Sequence, residues 1–227
     1  MREAVIVSTA RTPIGKAFRG AFNDTQAQEM AGHAIAEAVK RSKVSKEEID
    51  DVIIGAAGQQ GSQQGNIARQ SLLRAGLPVS VAGMSLDRQC ASGMMAIATA
   101  AKEITEDGMT ITVGGGVESV SLVRNENFRM DRARDPWLEE NIPSLYMTMI
   151  ETAENVAKRY GISRESQDEY SLQSQMRTAK AQQNGYMDKE IVPLKSTMKY
   201  KDKETGEISS HDVCIEKDEG NRPSTTL

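Results

Sequence analysis

Apolar positions along the chain alternate between short continuous runs and helical stripes. Residues 4–8 form a brief apolar run with the pattern of a buried strand, broken by Arg11-Thr12-Pro13-Ile14-Gly15. Ala27, Met30, Ala31, Ala34, Ile35 and Ala38 then recur at helical spacing and give one apolar face. Thr25 and Gln28 predict a capping box at the start of that helix, and His33 falls off its apolar stripe, on the surface. Ser45 and Glu48 predict a second box, and Asp51-Val52-Ile53-Ile54-Gly55 a second buried strand. Gly55, Gly58, Gly61 and Gly65 make the next loop permissive, and a short helix follows over 67–75. A third strand spans 81–87 and runs through Cys90-Ala91-Ser92-Gly93 into a helix over 94–101, apolar on nearly every face and so expected to be buried on all sides. A fourth strand at 109–113 ends in Gly114-Gly115-Gly116. Strand and helix alternate throughout, which implies an α/β domain with a parallel or mixed sheet and helices on both faces.

The texture changes after Ser119. Residues 124–141 are charged and irregular, 152–160 are helical up to Gly161, and Ser163 caps a longer helix ending near Gly185. Residues 190–194 predict a short strand, and 199–213 a polar stretch with a turn at Thr205-Gly206. This places a second, smaller domain, or a large insertion, over 120–227.

Composition narrows the class. Of 227 residues 38% are hydrophobic, enough for a packed core, and aromatics are only 4%, so the core rests on Ala, Val, Ile, Leu and Met. The net charge of -4 is spread without a long single-sign block, which argues against nucleic acid as a partner. No apolar stretch reaches spanning length and the opening residues do not read as a secretory signal, so the expectation is no membrane association and a cytoplasmic location. Cys90 and Cys214 lie far apart without CxxC spacing, and His33 and His211 form no cluster, so no metal site is expected.

Cys90 stands at a strand-to-helix turn, a setting that favours thiolate, and Gly93 lets backbone approach a substrate. An inert buried cysteine has the same local signature, and no His lies nearby in sequence. The Gly114–Gly116 run lacks the features of a P-loop and reads as a tight turn against the Cys90 helix.

Several segments in order resemble thiolase motifs: Arg11-Thr12-Pro13-Ile14-Gly15-Lys16, Asn66-Ile67-Ala68-Arg69-Gln70, Cys90-Ala91-Ser92-Gly93 and Gly114-Gly115-Gly116-Val117-Glu118-Ser119. Thr152-Ala153-Glu154-Asn155-Val156-Ala157, Tyr160-Gly161-Ile162-Ser163-Arg164-Glu165-Ser166-Gln167-Asp168 and Asp218-Glu219-Gly220-Asn221-Arg222-Pro223 continue the series. The resemblance implies a thiolase fold: a first βαβαβαβ half over 1–119 and an inserted α+β loop domain over 120–227, both incomplete. It implies that Cys90 carries the acyl group in cleavage of a 3-oxoacyl-CoA or in the reverse condensation. Coenzyme A is then a co-substrate, with no permanently bound cofactor. It places Arg222 against the adenine of coenzyme A and Met149 beside the acyl and pantetheine region. Biosynthetic members carry a His before that Met; Thr148 stands here, which favours a broader 3-oxoacyl-CoA range. The resemblance also implies a homodimer or homotetramer. It assigns the catalytic His, a second Cys and a water-ordering Asn-Glu segment to a carboxy-terminal half; His33, His211 and Cys214 match none of these. A ketoacyl-synthase-type condensing enzyme and a non-catalytic CoA-binding fragment are the alternatives.

Overall fold

The computed structural model describes residues 2–227. Contacts group the chain into two units. The first runs to Phe128 and resumes over Asp188–Gly220; the second comprises Arg129–Met187 and Asn221–Leu227.

In the first unit, helix α1 (Ala27–Ser42) precedes strand β1 (Asp51–Gly55). Then come α2 (Ile67–Arg74), β2 (Ala82–Leu86), α3 (Ser92–Thr105), β3 (Thr112–Gly116) and the short α4 (Val120–Val123). The strands form a parallel sheet in the order β2-β1-β3, with Val52 opposite Gly83 and Val113. A helical crossover between successive strands is what parallel pairing requires. All of β1 is buried, as a central strand covered on both faces should be. Its side chains alternate: Val52 and Ile54 join Ile35, Ile67 and Leu72 from α1 and α2 in one core, while Ile53 meets Ala96 and Ala100 of α3 in another. The α/β layering read from sequence is therefore present, with the sheet's three strands all parallel.

Several local expectations are corrected. Residues 4–8 form no strand among the described residues, and Val5, Ile6 and Val7 are 73%, 77% and 68% exposed. An apolar run becomes a strand only where a sheet edge receives it. Here the run borders an apolar groove of about 800 Å³ shared with Ile35, Ile97 and Val113, and Ser8 Oγ donates to the Ala38 carbonyl. Helix α3 is not buried all round: Ser92, Ala96, Ala100 and Glu103 are buried, whereas Met94 is 77% exposed. Only its sheet-facing side has a layer against it. Gly114–Gly116 belong to β3 rather than to a turn, and they do lie against α3: a Cβ on Gly114 would stand 2.7 Å from Ile97 Cα. Thr25 caps nothing; its hydroxyl pairs with Ser196 Oγ at 2.6 Å, and α1 starts without a side-chain cap. The Ser45–Glu48 box is present, on a single 3-10 turn.

The predicted strand at 190–194 reduces to one bridge between Arg11 and Ile191. Residues 199–213, read as a polar stretch, lie in an antiparallel hairpin of β4 (Leu194–Lys201) and β5 (Ile208–Ile215). Polar alternation hides a strand that is exposed along most of its length. The hairpin base packs into the core: Leu194, Val213 and Ile215 join Ala21, Phe22 and Met30 in a third cluster.

The second unit holds α5 (Pro136–Asn141), α6 (Met149–Tyr160) and α7 (Arg164–Gln183). Each has a side-chain N-cap, from Asp135, Thr148 and Ser163 respectively. Gly161, at φ +63°, ends α6 in the left-handed conformation that glycine adopts without strain. No helix among the described residues is long and apolar enough to cross a membrane.

Candidate active site

Cys90 sits on the turn between β2 and α3, and side chains from both ends of the turn hold it. Asp87 Oδ1 accepts the Gln89 amide at 2.6 Å. Ser92 Oγ accepts the Arg88 amide at 2.8 Å and donates to the Gln89 carbonyl at 2.6 Å. The same carbonyl accepts the Ser92 amide, and the Arg88 carbonyl accepts the Ala91 amide. Gln89 takes φ +49° inside this frame. A non-glycine residue there costs roughly 1–2 kcal/mol, so the neighbours must hold it. Cys90 emerges exposed, as a free thiol, at the start of a 14-residue helix whose N-cap, Ala91, provides no side-chain cap.

Two glycines let the helix start rest on the strand ends. A Cβ on Gly55 would meet the Ser92 carbonyl carbon and oxygen at 2.2 Å, and one on Gly116 would meet Gly93 Cα at 2.9 Å. Backbone thus lies on backbone at the carboxyl ends of β1 and β3, the edge where parallel sheets place ligands. The loops leaving that edge are braced together. Glu118 Oε2 accepts the Ala57 amide at 2.9 Å and Oε1 accepts Gln63 Nε2 at 2.8 Å. The fully buried Gln63 accepts the Ser119 amide in turn.

A second constellation joins two of the motif segments 207 residues apart. Arg11 donates two bonds to Asp218, at 2.7 and 2.9 Å, and one to Glu190 at 2.7 Å. Asp218 also accepts the Ile14 amide, and Glu219 the amides of Lys16 and Ala21. Burial works against ionisation of Asp218, yet the Arg11 guanidinium and the Ile14 amide outweigh it and hold its pKa below the usual range. The Asp218 hydrogen bond in turn raises the Arg11 pKa. Near the other end of α3 the balance reverses. Burial, then the charges of Asp51 and Asp107, push the Glu103 pKa up, and Glu103 Oε2 is buried without a partner. Asp51 is raised by its own burial, against the Val52 amide it accepts and with the charge of Asp50.

The remaining candidates scatter. Met149 opens α6 and is 74% exposed; Arg222 is exposed, its amide bonded to Gln175 Oε1 at 2.8 Å. Both belong to the second unit, and Cys90 to the first. Thr148, before Met149, is the N-cap of α6 in a capping box with Glu151. Cys214 is exposed on β5. His33 is half-buried, with Nε2 against the Pro193 carbonyl at 3.0 Å, and His211 pairs with Ser209. The described residues contain no cluster of His, Cys, Asp and Glu able to hold a metal ion.

The family model described as "Thiolase, N-terminal domain" matches residues 4–227. The chain belongs to the thiolase family. It is 39% identical to a 3-ketoacyl-CoA thiolase of Bacillus subtilis, covering 100% of this chain and 57% of that protein. It is 37% identical to a beta-ketoadipyl-CoA thiolase of Pseudomonas putida, again over the whole chain and 58% of the relative. The crystal structure of the Bacillus anthracis acetyl-CoA acetyltransferase superposes with a TM-score of 0.79 at 35% identity, covering 100% of this chain and 57% of that one. The chain thus spans a little over half the length of these relatives.

Within this thiolase chain, sequence points to Cys90 but not to the groups that seat it. Ser92 falls inside a motif segment without its role being readable there, and Gln63 and the positive φ of Gln89 carry no pattern of their own. Only the spacing Asp87-x-Gln89, an Asx-turn signature, and the glycines ending β1 and β3 foreshadow the seat.

Proposed function

We propose that the chain supplies the acyl-accepting part of a thiolase, an acyltransferase acting on 3-oxoacyl-CoA. Cys90 Sγ attacks the C3 carbonyl of the substrate, and the C2–C3 bond breaks. The released carbanion takes up a proton as acetyl-CoA, leaving the shortened acyl group as a thioester on Cys90. The thiolate of a second coenzyme A then attacks that thioester, forming a new acyl-CoA and returning the cysteine. Splitting one hard displacement into two is the gain from a covalent carrier. Coenzyme A is a co-substrate on this reading, and no cofactor stays bound. One observation carries the proposal: Cys90 is an exposed free thiol at the uncapped start of α3, on a turn held in a strained shape at the carboxyl edge of the parallel sheet.

The proton transfers need groups that this chain does not place beside Cys90. His33 and His211 are engaged by Pro193 and Ser209. On the thiolase resemblance the catalytic His and second Cys come from a carboxy-terminal half, and residues 1–227 on their own should then turn nothing over. Arg222 contributes to coenzyme A binding by stacking on the adenine, and Met149 lies by the acyl and pantetheine chain. Thr148 before it suits a range of 3-oxoacyl-CoA substrates. A cytoplasmic homodimer or homotetramer in fatty acid metabolism completes the reading. The similarly named relatives support the substrate class.

The test is CoA-dependent cleavage of acetoacetyl-CoA and longer 3-oxoacyl-CoAs by the natural full-length protein and its Cys90→Ala variant. Wild type should cleave and the variant should not, while still binding coenzyme A. Cleavage by Cys90→Ala at a tenth of the wild-type rate or more would overturn the proposal.

A further inference from the structure

We infer that Ser92 is a positioning residue for the Cys90 thiol, acting through the backbone of Gln89; the inference rests on Cys90 as acyl carrier. Ser92 is buried, 4% exposed, though it follows an exposed residue and opens a helix. Its hydroxyl uses both its donor and its acceptor within the Cys90 turn, taking the Arg88 amide and giving to the Gln89 carbonyl. It thereby ties the helix start to the two residues before Cys90, whereas Asp87 bonds the Gln89 amide and its amide side chain from the strand side. The bond matters because of where it ends. The Gln89 carbonyl belongs to the peptide that leads into Cys90, and Gln89 holds φ +49°. Left-handed backbone at a glutamine is unfavourable, and removing the hydroxyl leaves the Gln89 carbonyl only the Ser92 amide and the Arg88 amide without its side-chain acceptor, so that peptide is less firmly held against rotation to an ordinary conformation. Such rotation swings the Cα–Cβ bond of Cys90 and moves Sγ away from where it meets a carbonyl carbon. Ser92 itself cannot yield, because its carbonyl is wedged against Gly55 with no room for a Cβ. The clamp is thus anchored on the sheet and transmits the sheet's position to the nucleophile.

The logic yields a specific rescue. Glycine adopts left-handed backbone without cost, so Gln89→Gly should need the clamp less. The experiment measures the acylation rate of Cys90 by labelled acetyl-CoA in the natural full-length protein, together with binding of acetyl-CoA and thermal midpoint. Ser92→Ala should slow acylation by about 10–100-fold, the scale of a misplacement near 1 Å, with binding within about threefold of wild type. The double variant Ser92→Ala/Gln89→Gly should acylate faster than Ser92→Ala and regain most of the loss. A merely structural serine would lower the midpoint without this rescue. Acylation by Ser92→Ala within threefold of wild type would overturn the inference, as would a double variant no faster than Ser92→Ala. Should Ser92→Ala not fold, a folded and acylating double variant supports the inference, and one that is unfolded or inert overturns it. Cys90→Ala is read in parallel. Label retained there overturns the Cys90 assignment and this inference with it; label lost there but kept at wild-type rate in Ser92→Ala overturns this inference alone.

Discussion

Cys90 and Cys214 are both free and both exposed, and the chain sets them in opposite surroundings. Cys214 lies on β5 opposite Lys195, in regular antiparallel backbone of a hairpin whose turn is relaxed by Gly206 at φ +74°. Nothing there constrains the thiol beyond the alternation of a strand. Cys90 follows a strained residue and leads into a helix start, where Ser92 and Gly93 rest on two strand ends whose glycines let backbone touch backbone. Exposure makes a thiol reachable. It takes an over-determined backbone to aim one.

The contrast breaks most sharply at Gly55. A Cβ there would collide with Ser92 backbone at 2.2 Å, and backbone has no rotamer with which to give way. Gly55→Ala should cost about 3 kcal/mol, the upper end of ordinary overpacking, and abolish acylation at Cys90. Alkylation of Cys214 by iodoacetamide in the same folded sample should stay within about twofold of wild type, since the variant leaves the hairpin alone. Denaturant unfolding and peptide-resolved labelling check both halves.

Arg222→Ala separates binding from aim. A stacked, partly exposed cation is worth about 0.5–2 kcal/mol, so KM for CoA substrates should rise about 2–30-fold with kcat largely intact. A fall in kcat at constant KM would move Arg222 from holding the coenzyme to the chemistry.

Glu103 probes α3 far along the helix from Cys90. Burial and the charges of Asp51 and Asp107 raise its pKa above the unfolded value of 4.5, and Asp51 is raised likewise. Stability from such groups is complete below the unfolded values and is lost as pH rises through the folded ones. Glu103→Gln should therefore flatten the decline in stability above pH 4.5 and raise the thermal midpoint at neutral pH by about 2–4 °C, as ~1 kcal/mol does in a chain this long. A midpoint that falls at neutral pH would show that the ionised carboxylate is stabilised.

The smallest effect is expected at the hairpin. Gly206 needs left-handed backbone but has open space around it, so Gly206→Ala should cost about 1 kcal/mol and leave acylation at Cys90 unchanged. Loss of acylation would mean the two regions are coupled.

How much of this could be read from sequence depends on what each residue needs. The runs at 4–8 and 51–55 look alike, and only the second is a strand, because it has partners on both sides. Periodicity records what a segment requires, not whether a neighbour is there to meet it. Thr25 and Thr148 show the same limit in caps. Both open an S/T-x-x-E/Q pattern, but Thr25 is drawn into a bond with Ser196 on the hairpin, while Thr148 meets no competing partner and caps α6. Cys90 was legible through the ordered series of motifs around it, since the strand-to-helix turn alone is a setting an inert buried cysteine shares. Ser92 was not, since a serine two residues beyond a cysteine is ordinary until its hydroxyl is seen between Arg88 and Gln89.

The most direct test exposes the natural full-length protein to labelled acetyl-CoA, quenches in acid, digests it and maps the label. One acyl group per chain should appear, on the peptide containing Cys90, with the Cys214 peptide unlabelled although its thiol is also free and exposed. Label on Cys214, or none on Cys90 in protein that cleaves 3-oxoacyl-CoA, would contradict it.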